Sequence, residues 1–178
     1  MEAVKLAGLE PASVFGYFEK LCSMPHGSGN TRIISDYLVS FAKEQNIPYI
    51  QDELNNVILF GPASEGYEDH ESVIIQGHMD MVCEKDPDCT INFDTDGLDI
   101  THDGQYVFAN GTTLGGDDGI AVAYALALLA DKSILHCGSR YGTCGVRHLE
   151  FGCPTTADDG HQGRGLLVDT KVAYRGPL

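Results

Sequence analysis

The chain has 178 residues, of which 43% are hydrophobic and 21% charged, a composition typical of a globular protein with one ordinary domain. Its formal net charge of −15 disfavours nucleic acids and anionic membrane surfaces as partners, because both repel an acidic protein. The same charge is compatible with divalent cations, which carboxylate clusters attract.

The sequence shows no signal for export or for membrane insertion. No apolar run approaches the roughly 20 residues of a membrane helix. The first 15 residues contain Glu2, Lys5 and Glu10 and do not resemble a signal peptide. The six cysteines include no Cys-x-x-Cys pair, and their spacing is not that of a small secreted disulfide framework. We therefore expect a cytoplasmic protein with mostly reduced thiols.

The first 60 residues predict two amphipathic helices and then two short strands. The first helix is predicted over 11–22, with Pro11 at its first position. The second is predicted over 31–45, with Asn30 or Thr31 as its N-cap. Strands are predicted at 47–51 and 56–60. The predicted buried face of the second helix consists of Ile33, Ile34, Tyr37, Leu38 and Phe41.

A metal-capable pair of residues follows the next apolar run. Residues 73–75 predict a buried strand that ends near Gly77, and His78 and Asp80 come directly after it. Residues two apart share a face of a strand, so both side chains would lie together at its carboxyl end, where open α/β sheets keep their sites. An imidazole can bind a metal while a carboxylate orients the ring from behind. The alternative is an ordinary polar turn after a core strand.

A β-hairpin and a glycine-rich loop come next. The hairpin is predicted from Asp103-Gly104, which separates the short apolar runs 98–100 and 106–108. The glycine-rich loop, 110–119, leads into the Ala- and Leu-rich segment 120–130, which predicts a buried helix.

The glycine-rich loop favours a metal over a phosphate. A loop of this kind can cradle a phosphate at a helix N-terminus, but this one lacks the motifs of a P-loop and of a dinucleotide site. The adjacent carboxylates of Asp117 and Asp118 would also repel a phosphate. The alternative is that one of these carboxylates simply caps the helix.

His78, Asp80 and Asp117 together suggest a metal constellation, because a carboxylate can bridge the two ions of a two-metal hydrolase. Around these residues the chain resembles the N-terminal part of the aminoacyl-histidine (Xaa-His) dipeptidases, which are bacterial cytosolic di-zinc peptidases. The matching stretches are Pro25-His26-Gly27-Ser28-Gly29-Asn30, residues 75–85 and residues 111–121. The resemblance runs from about residue 9 to residue 131.

The resemblance implies a fold, an activity and three site residues. The fold would be α/β: a zinc-peptidase-type catalytic domain with a central mixed sheet flanked by helices, truncated after the helix at 120–130. The activity would be hydrolysis of dipeptides, Xaa-His among them, by a water that two zinc ions activate; other divalent ions are possible. His78 would bind one zinc, Asp117 would bridge both, and Asp80 would support catalysis by orienting His78. The family also has a non-proline cis peptide after its bridging aspartate, which would be Asp117–Asp118 here.

The resemblance stops after Asp131. The family continues with a strand and a Glu-Glu pair, which supplies the general base and a zinc ligand, whereas 132–178 contain a single glutamate, Glu150. The best strand candidate in this segment is 166–168. We therefore expect 9–131 to form the N-terminal part of a catalytic domain, 132–178 to form an atypical tail, and activity to be impaired. The alternatives are a non-catalytic fragment and an acidic metal-binding domain.

Overall fold

The computed structural model describes residues 5–144 and 164–166. The elements in chain order are α1 (Ala12–Cys22), α2 (Arg32–Gln45), β1 (Tyr49–Gln51), β2 (Val57–Gly61), β3 (Val73–His78), β4 (Ile100–His102), β5 (Val107–Ala109), α3 (Gly116–Ala130), β6 (Ser139–Cys144) and β7 (Arg164–Leu166). Five strands form one sheet in the order β1-β2-β6-β3-β7, and β4 pairs with β5. The expected α/β fold with a mixed sheet is confirmed.

Strand β3 lies inside the sheet and carries the site at its carboxyl end. It runs parallel to β6 on one side and to β7 on the other, while β2 runs antiparallel to β6. The last pair of the β3–β6 register joins His78 to Cys144. Because the register with β6 extends to His78, backbone pairing on that side fixes the direction in which His78 leaves the sheet.

The sheet includes two strands that follow the third helix, and the sequence predicted neither of them with its observed bounds. We expected one strand in 132–178, at 166–168, but the structure has β6 at 139–144 and β7 at 164–166. Strand β6 reads Ser-Arg-Tyr-Gly-Thr-Cys, which lacks a strong strand pattern. It pairs with β3 along its whole length and with β2 over residues 139–143, and its Tyr141 is only 1% exposed, so tertiary pairing overrides the weak local signal. The division of the chain at Asp131 stays a prediction.

The helices cover the sheet with the apolar faces that the sequence supplies. Helix α3 packs against α1 and β3, and α2 packs against β1 and β2. Ile33, predicted to be buried, is 47% exposed, because the buried stripe of α2 runs through Ile34, Leu38 and Ala42 instead. In the part of the chain that the structure describes, no helix has the length and apolar character needed to cross a membrane.

The hairpin of β4 and β5 forms where Asp103-Gly104 predicted it. Gly104 has a φ of 93°, a left-handed conformation that glycine adopts without strain. The Asp103 carboxylate accepts hydrogen bonds from the backbone N–H groups of Gln105 and Tyr106, at 2.8 and 2.7 Å. A side chain that satisfies two backbone donors explains why this dipeptide marks the turn so clearly.

Candidate metal centre

Three stretches of chain meet beyond the carboxyl end of β3, and they are the stretches that carry the sequence resemblance. On one side, the backbone N–H of Met81 donates to the carbonyl of His26, and that of Ser28 donates to the carbonyl of Met81, both at 3.1 Å. On the other side, Thr113 and Glu84 are joined twice: Thr113 N–H donates to the Glu84 carbonyl at 2.9 Å, and Glu84 N–H donates to Thr113 Oγ1 at 3.2 Å. Backbone pairing thus holds all three stretches in register.

His78 and Asp117 converge at the centre of this arrangement. Nε2 of His78, at the end of β3, lies 3.1 Å from Oδ1 of Asp117, in the first turn of α3. Two ligands of one tetrahedral zinc ion, each at about 2.0–2.1 Å, lie roughly 3.3 Å apart. The observed separation therefore suits a shared ion, and the expected convergence of the two side chains is confirmed. The expected cis peptide Asp117–Asp118 is also present.

Asp80 lies buried behind the ring of His78, with only 1% of its surface exposed. Nδ1–H of His78 donates to the main-chain carbonyl of Asp80 at 2.9 Å and lies 3.2 Å from its carboxylate Oδ1. The carbonyl contact has hydrogen-bond geometry, whereas Oδ1 is within ion-pair distance but has no aligned donor. Asp80 therefore touches the ring with both its backbone and its side chain, a contact suited to holding the orientation and tautomer of a ligand histidine.

The charges of the site stabilise one another. The Asp80 carboxylate raises the pKa of His78 to about 9, against the effect of burial, and Asp117 acts in the same direction. Burial opposes ionisation of Asp80, but the close contact with His78 and the hydrogen bond from Ser28 outweigh it, so the pKa of Asp80 is lowered. Both ring nitrogens of His78 face oxygen acceptors, so the imidazolium form suits the metal-free site. A metal that binds Nε2 must therefore displace a proton.

Asp118, next to Asp117, has different neighbours. Burial raises the pKa of its carboxyl group to about 6, and the backbone N–H groups of Ala121 and His78 act in the opposite direction. Its carboxylate lies against Gly77 at the end of β3. Of the two alternatives that the sequence left for the acidic pair, the structure supports the convergence on His78: Asp117 faces the ring, whereas the N-cap of α3 is Gly115 and no side-chain hydrogen bond caps the helix there.

The described residues supply only part of a metal site. Within residues 5–144 and 164–166, no group of three or more His, Cys, Asp or Glu side chains is arranged to hold a metal ion. His78 and Asp117 fit two ligand positions by residue type and by distance, but a catalytic zinc usually has three protein ligands. Glu150 lies outside the described residues.

Two residues of the site, His26 and Ser28, were not predicted to act in it. His26 is buried and its Nδ1–H donates to the carbonyl of Met24 at 2.7 Å, and burial lowers its pKa. Ser28 Oγ donates to Oδ2 of Asp80 at 2.5 Å. Neither contact can be recognised from the local sequence pattern. The partner of Ser28 is 52 residues away, and only the pairing with Met81 brings the two residues close.

Comparison with known proteins supports the resemblance, and the match covers part of each relative's length. No protein-family profile matches the chain. A cytosol non-specific dipeptidase from Escherichia coli (strain K12) is 39% identical over 132 residues, which are 74% of this chain and 27% of that protein. An aminoacylhistidine dipeptidase from Vibrio alginolyticus has a similar structure, with a TM-score of 0.78 and 35% identity over 83% of this chain and 30% of that protein.

A third protein, with a lower sequence identity, is similar to this chain in fold alone. A tripeptidase from Staphylococcus aureus gives a TM-score of 0.59 at 18% identity, over 75% of this chain and 36% of that protein. The chain thus spans less than a third of the two dipeptidases that it matches at higher identity. Within that span, the chain resembles the aminoacyl-histidine and cytosol non-specific dipeptidases in both sequence and fold.

Proposed function

We propose that this chain carries part of the metal centre of a dipeptidase, in which His78 and Asp117 bind zinc and Asp80 orients His78. The observation that carries the proposal is the 3.1 Å approach of His78 Nε2 to Asp117 Oδ1, with the buried Asp80 against the far side of the ring. An imidazole and a carboxylate are ordinary zinc ligands. The similarity to the two dipeptidases supports peptide hydrolysis as the reaction that such a centre serves.

Each of the three side chains has a separate role in this proposal. His78 loses the proton from Nε2 and keeps its hydrogen bond from Nδ1 to the carbonyl of Asp80. The negative charge of buried Asp80 stabilises the positive charge that the ring shares when it binds a cation. Asp117 is exposed, so its carboxylate has room to face two ions from the solvent side. A bound zinc ion would supply Lewis acidity and lower the pKa of a coordinated water.

The proposed substrates are dipeptides, with Xaa-His dipeptides among them, and the proposed location is the cytoplasm. Both follow the names of the two relatives, a cytosol non-specific dipeptidase and an aminoacylhistidine dipeptidase. Zinc is the proposed metal, and other divalent ions are possible. The net charge of −15 agrees with a small cation and a small substrate as partners, and it disfavours nucleic acids.

A second candidate, metal binding without catalysis, is favoured by the incomplete set of ligands. The described residues present two ligands near the site and no group of three or more His, Cys, Asp or Glu side chains arranged to hold a metal ion. An acidic domain that holds a divalent ion, or a fragment that binds one weakly, would need no base. This candidate shares the metal-binding step with the first, so measurements of binding and of turnover separate them.

The proposal is tested by titrating the metal-free chain with zinc and by measuring histidine release from a Xaa-His dipeptide. We expect binding that His78→Ala and Asp117→Ala each weaken strongly. His70→Ala is the matched control, because His70 is an exposed loop histidine outside the site. Equal zinc affinity in His78→Ala, Asp117→Ala and the unaltered chain would contradict the proposed centre. Binding without histidine release would favour the second candidate.

A further inference from the structure

We propose that Ser28 is a positioning residue of the metal centre, which holds the Asp80 carboxylate in the orientation that fixes the ring of His78. This inference rests on the proposed function, because it concerns the same centre. The resemblance in sequence gives Ser28 no role, and the serine touches neither of the two proposed metal ligands in the contacts described here. It acts on the centre through one intermediate, Asp80.

The hydrogen bond from Ser28 is short and goes to one oxygen of the Asp80 carboxylate. Ser28 Oγ lies 2.5 Å from Oδ2 of Asp80 and 3.3 Å from the carbonyl of Met81. A hydroxyl has a single proton to donate, so the nearer, charged acceptor receives it. The other carboxylate oxygen, Oδ1, is then the one that lies 3.2 Å from Nδ1 of His78. The serine therefore sets the rotation of the carboxylate, which leaves its other oxygen beside the histidine ring.

Asp80 needs such a partner because of where it lies. Its side chain is fully buried, and Oδ1 has no aligned hydrogen-bond donor. The terminal torsion of an aspartate is broad, so burial among apolar neighbours does not by itself select one rotation of the carboxylate. A charge-assisted bond to Oδ2 selects it and compensates for part of the cost of burying the charge.

The backbone holds Ser28 in place for this contact. Ser28 N–H donates to the carbonyl of Met81 at 3.1 Å, and Met81 N–H donates to the carbonyl of His26 at 3.1 Å. The two segments thus run side by side, and Gly27 and Met81 form a parallel bridge. Ser28 is itself exposed, so its hydroxyl reaches the buried carboxylate from the solvent side. The position of the hydroxyl is therefore set by main-chain pairing and does not depend on the metal.

Removal of the Ser28 hydroxyl should make the orientation of the His78 ring less fixed, while both proposed metal ligands remain in place. Loss of a group that orients a metal-binding histidine typically weakens metal affinity by about 10–100-fold. Ser28 acts one contact further out and water can reach its position, so we expect a loss of about tenfold, at the lower end of that range. The fold should remain, because Ser28 contributes no apolar side chain to the core.

The experiment compares Ser28→Ala, Ser28→Thr and the control Ser40→Ala in the full chain. Ser40 is also exposed and its hydroxyl also donates a hydrogen bond, to the carbonyl of Asp36 at 2.9 Å on helix α2. Two quantities are measured: the ring 15N signals of His78 in the metal-free protein, and the dissociation constant for zinc. We expect Ser28→Ala to shift the signals and to weaken zinc binding about tenfold. Ser28→Thr, which keeps the hydroxyl, should restore both, and Ser40→Ala should change neither.

The outcomes separate this inference from the proposed function. If the unaltered chain binds no zinc at the site, the proposed function fails, and the 15N signals of the metal-free variants still decide whether Ser28 positions His78. If zinc binds but Ser28→Ala matches Ser40→Ala in both measurements, the role of Ser28 is overturned. Equal losses in Ser28→Ala and Ser28→Thr would overturn it as well, because the hydroxyl would then not be the cause.

Discussion

The carboxylate of Asp118 closes directly over Gly77, so that a Cβ atom on Gly77 would lie 2.9 Å from Asp118 Oδ2. The same Cβ would lie 3.2 Å from the Cβ of Ala121. The close approach of β3 to the first turn of α3 therefore depends on a residue without a side chain. This approach also brings Asp117 to His78, because the two belong to the adjoining ends of the same strand and helix.

Gly77→Ala should push the first turn of α3 away from β3. We expect a loss of about 1–3 kcal/mol in the free energy of unfolding, the usual cost of forcing a methyl group into a packed site. Urea unfolding of the metal-free protein measures it. The matched control is Gly16→Ala, at an exposed position of α1, where an added Cβ meets nothing within 4 Å. That change should stabilise by about 0.5–1 kcal/mol, and equal effects at both positions would contradict the packing described.

The metal-free protein should lose stability as the pH rises from about 6.5 to about 9. The pKa of His78 is raised from 6.5 to about 9, mainly by the Asp80 carboxylate. A raised pKa means that the folded state binds the proton more tightly, so the stabilisation is fully present below 6.5 and is lost as the pH passes through about 9.

Urea unfolding in a chelator, at several pH values across that range, measures this loss. His78→Gln removes the titrating group, so the difference in stability between the unaltered chain and the variant isolates it from other groups. Asp118 does not interfere, because its raised pKa of about 6 places its own effect at lower pH. A difference that stays constant from pH 6.5 to pH 9 would show that the contacts of His78 do not favour its proton.

The sequence predicted some parts of this centre and missed others, and the residues concerned show the physical reasons. His78 and Asp117 were identifiable because an apolar run and an Ala-rich helix mark the elements on which they lie. Strand β6 was missed because its position depends on neighbours on both sides and hardly on its own residues. The contact between Ser28 and Asp80 was missed because a pairing between distant segments creates it.

Tyr141→Ala should destabilise the fold if β6 is an integral strand of the sheet. Tyr141 is almost fully buried in β6, and truncation of a buried aromatic residue typically costs about 3–5 kcal/mol. The control is Tyr106→Ala on the β4–β5 hairpin, where the ring is 48% exposed and the expected change is small. Thermal or urea unfolding measures both. Similar small changes would indicate that the stable fold ends before β6, as a division at Asp131 predicts.

This chain should show little or no dipeptidase activity, even with zinc present. The described residues offer two ligands, and the Glu-Glu pair that would supply the base by resemblance is missing from 132–178, where Glu150 is the single glutamate. Loss of a base alone typically costs about 10²–10⁴-fold. The measurement is histidine release from a Xaa-His dipeptide, compared with a chain that carries a dipeptidase-like continuation after Asp131. Equal release per mole from both would mean that residues such as Glu150, Asp158 or His161 supply the missing groups.

The central claim is that His78 and Asp117 share a metal ion, and anomalous diffraction at the zinc edge from crystals grown with zinc tests it most directly. We expect an anomalous peak about 2.0–2.2 Å from both His78 Nε2 and a carboxylate oxygen of Asp117. The peak should vanish in His78→Ala and persist in His70→Ala. A zinc ion bound elsewhere, with these two side chains still 3.1 Å apart and in direct contact, would contradict the claim.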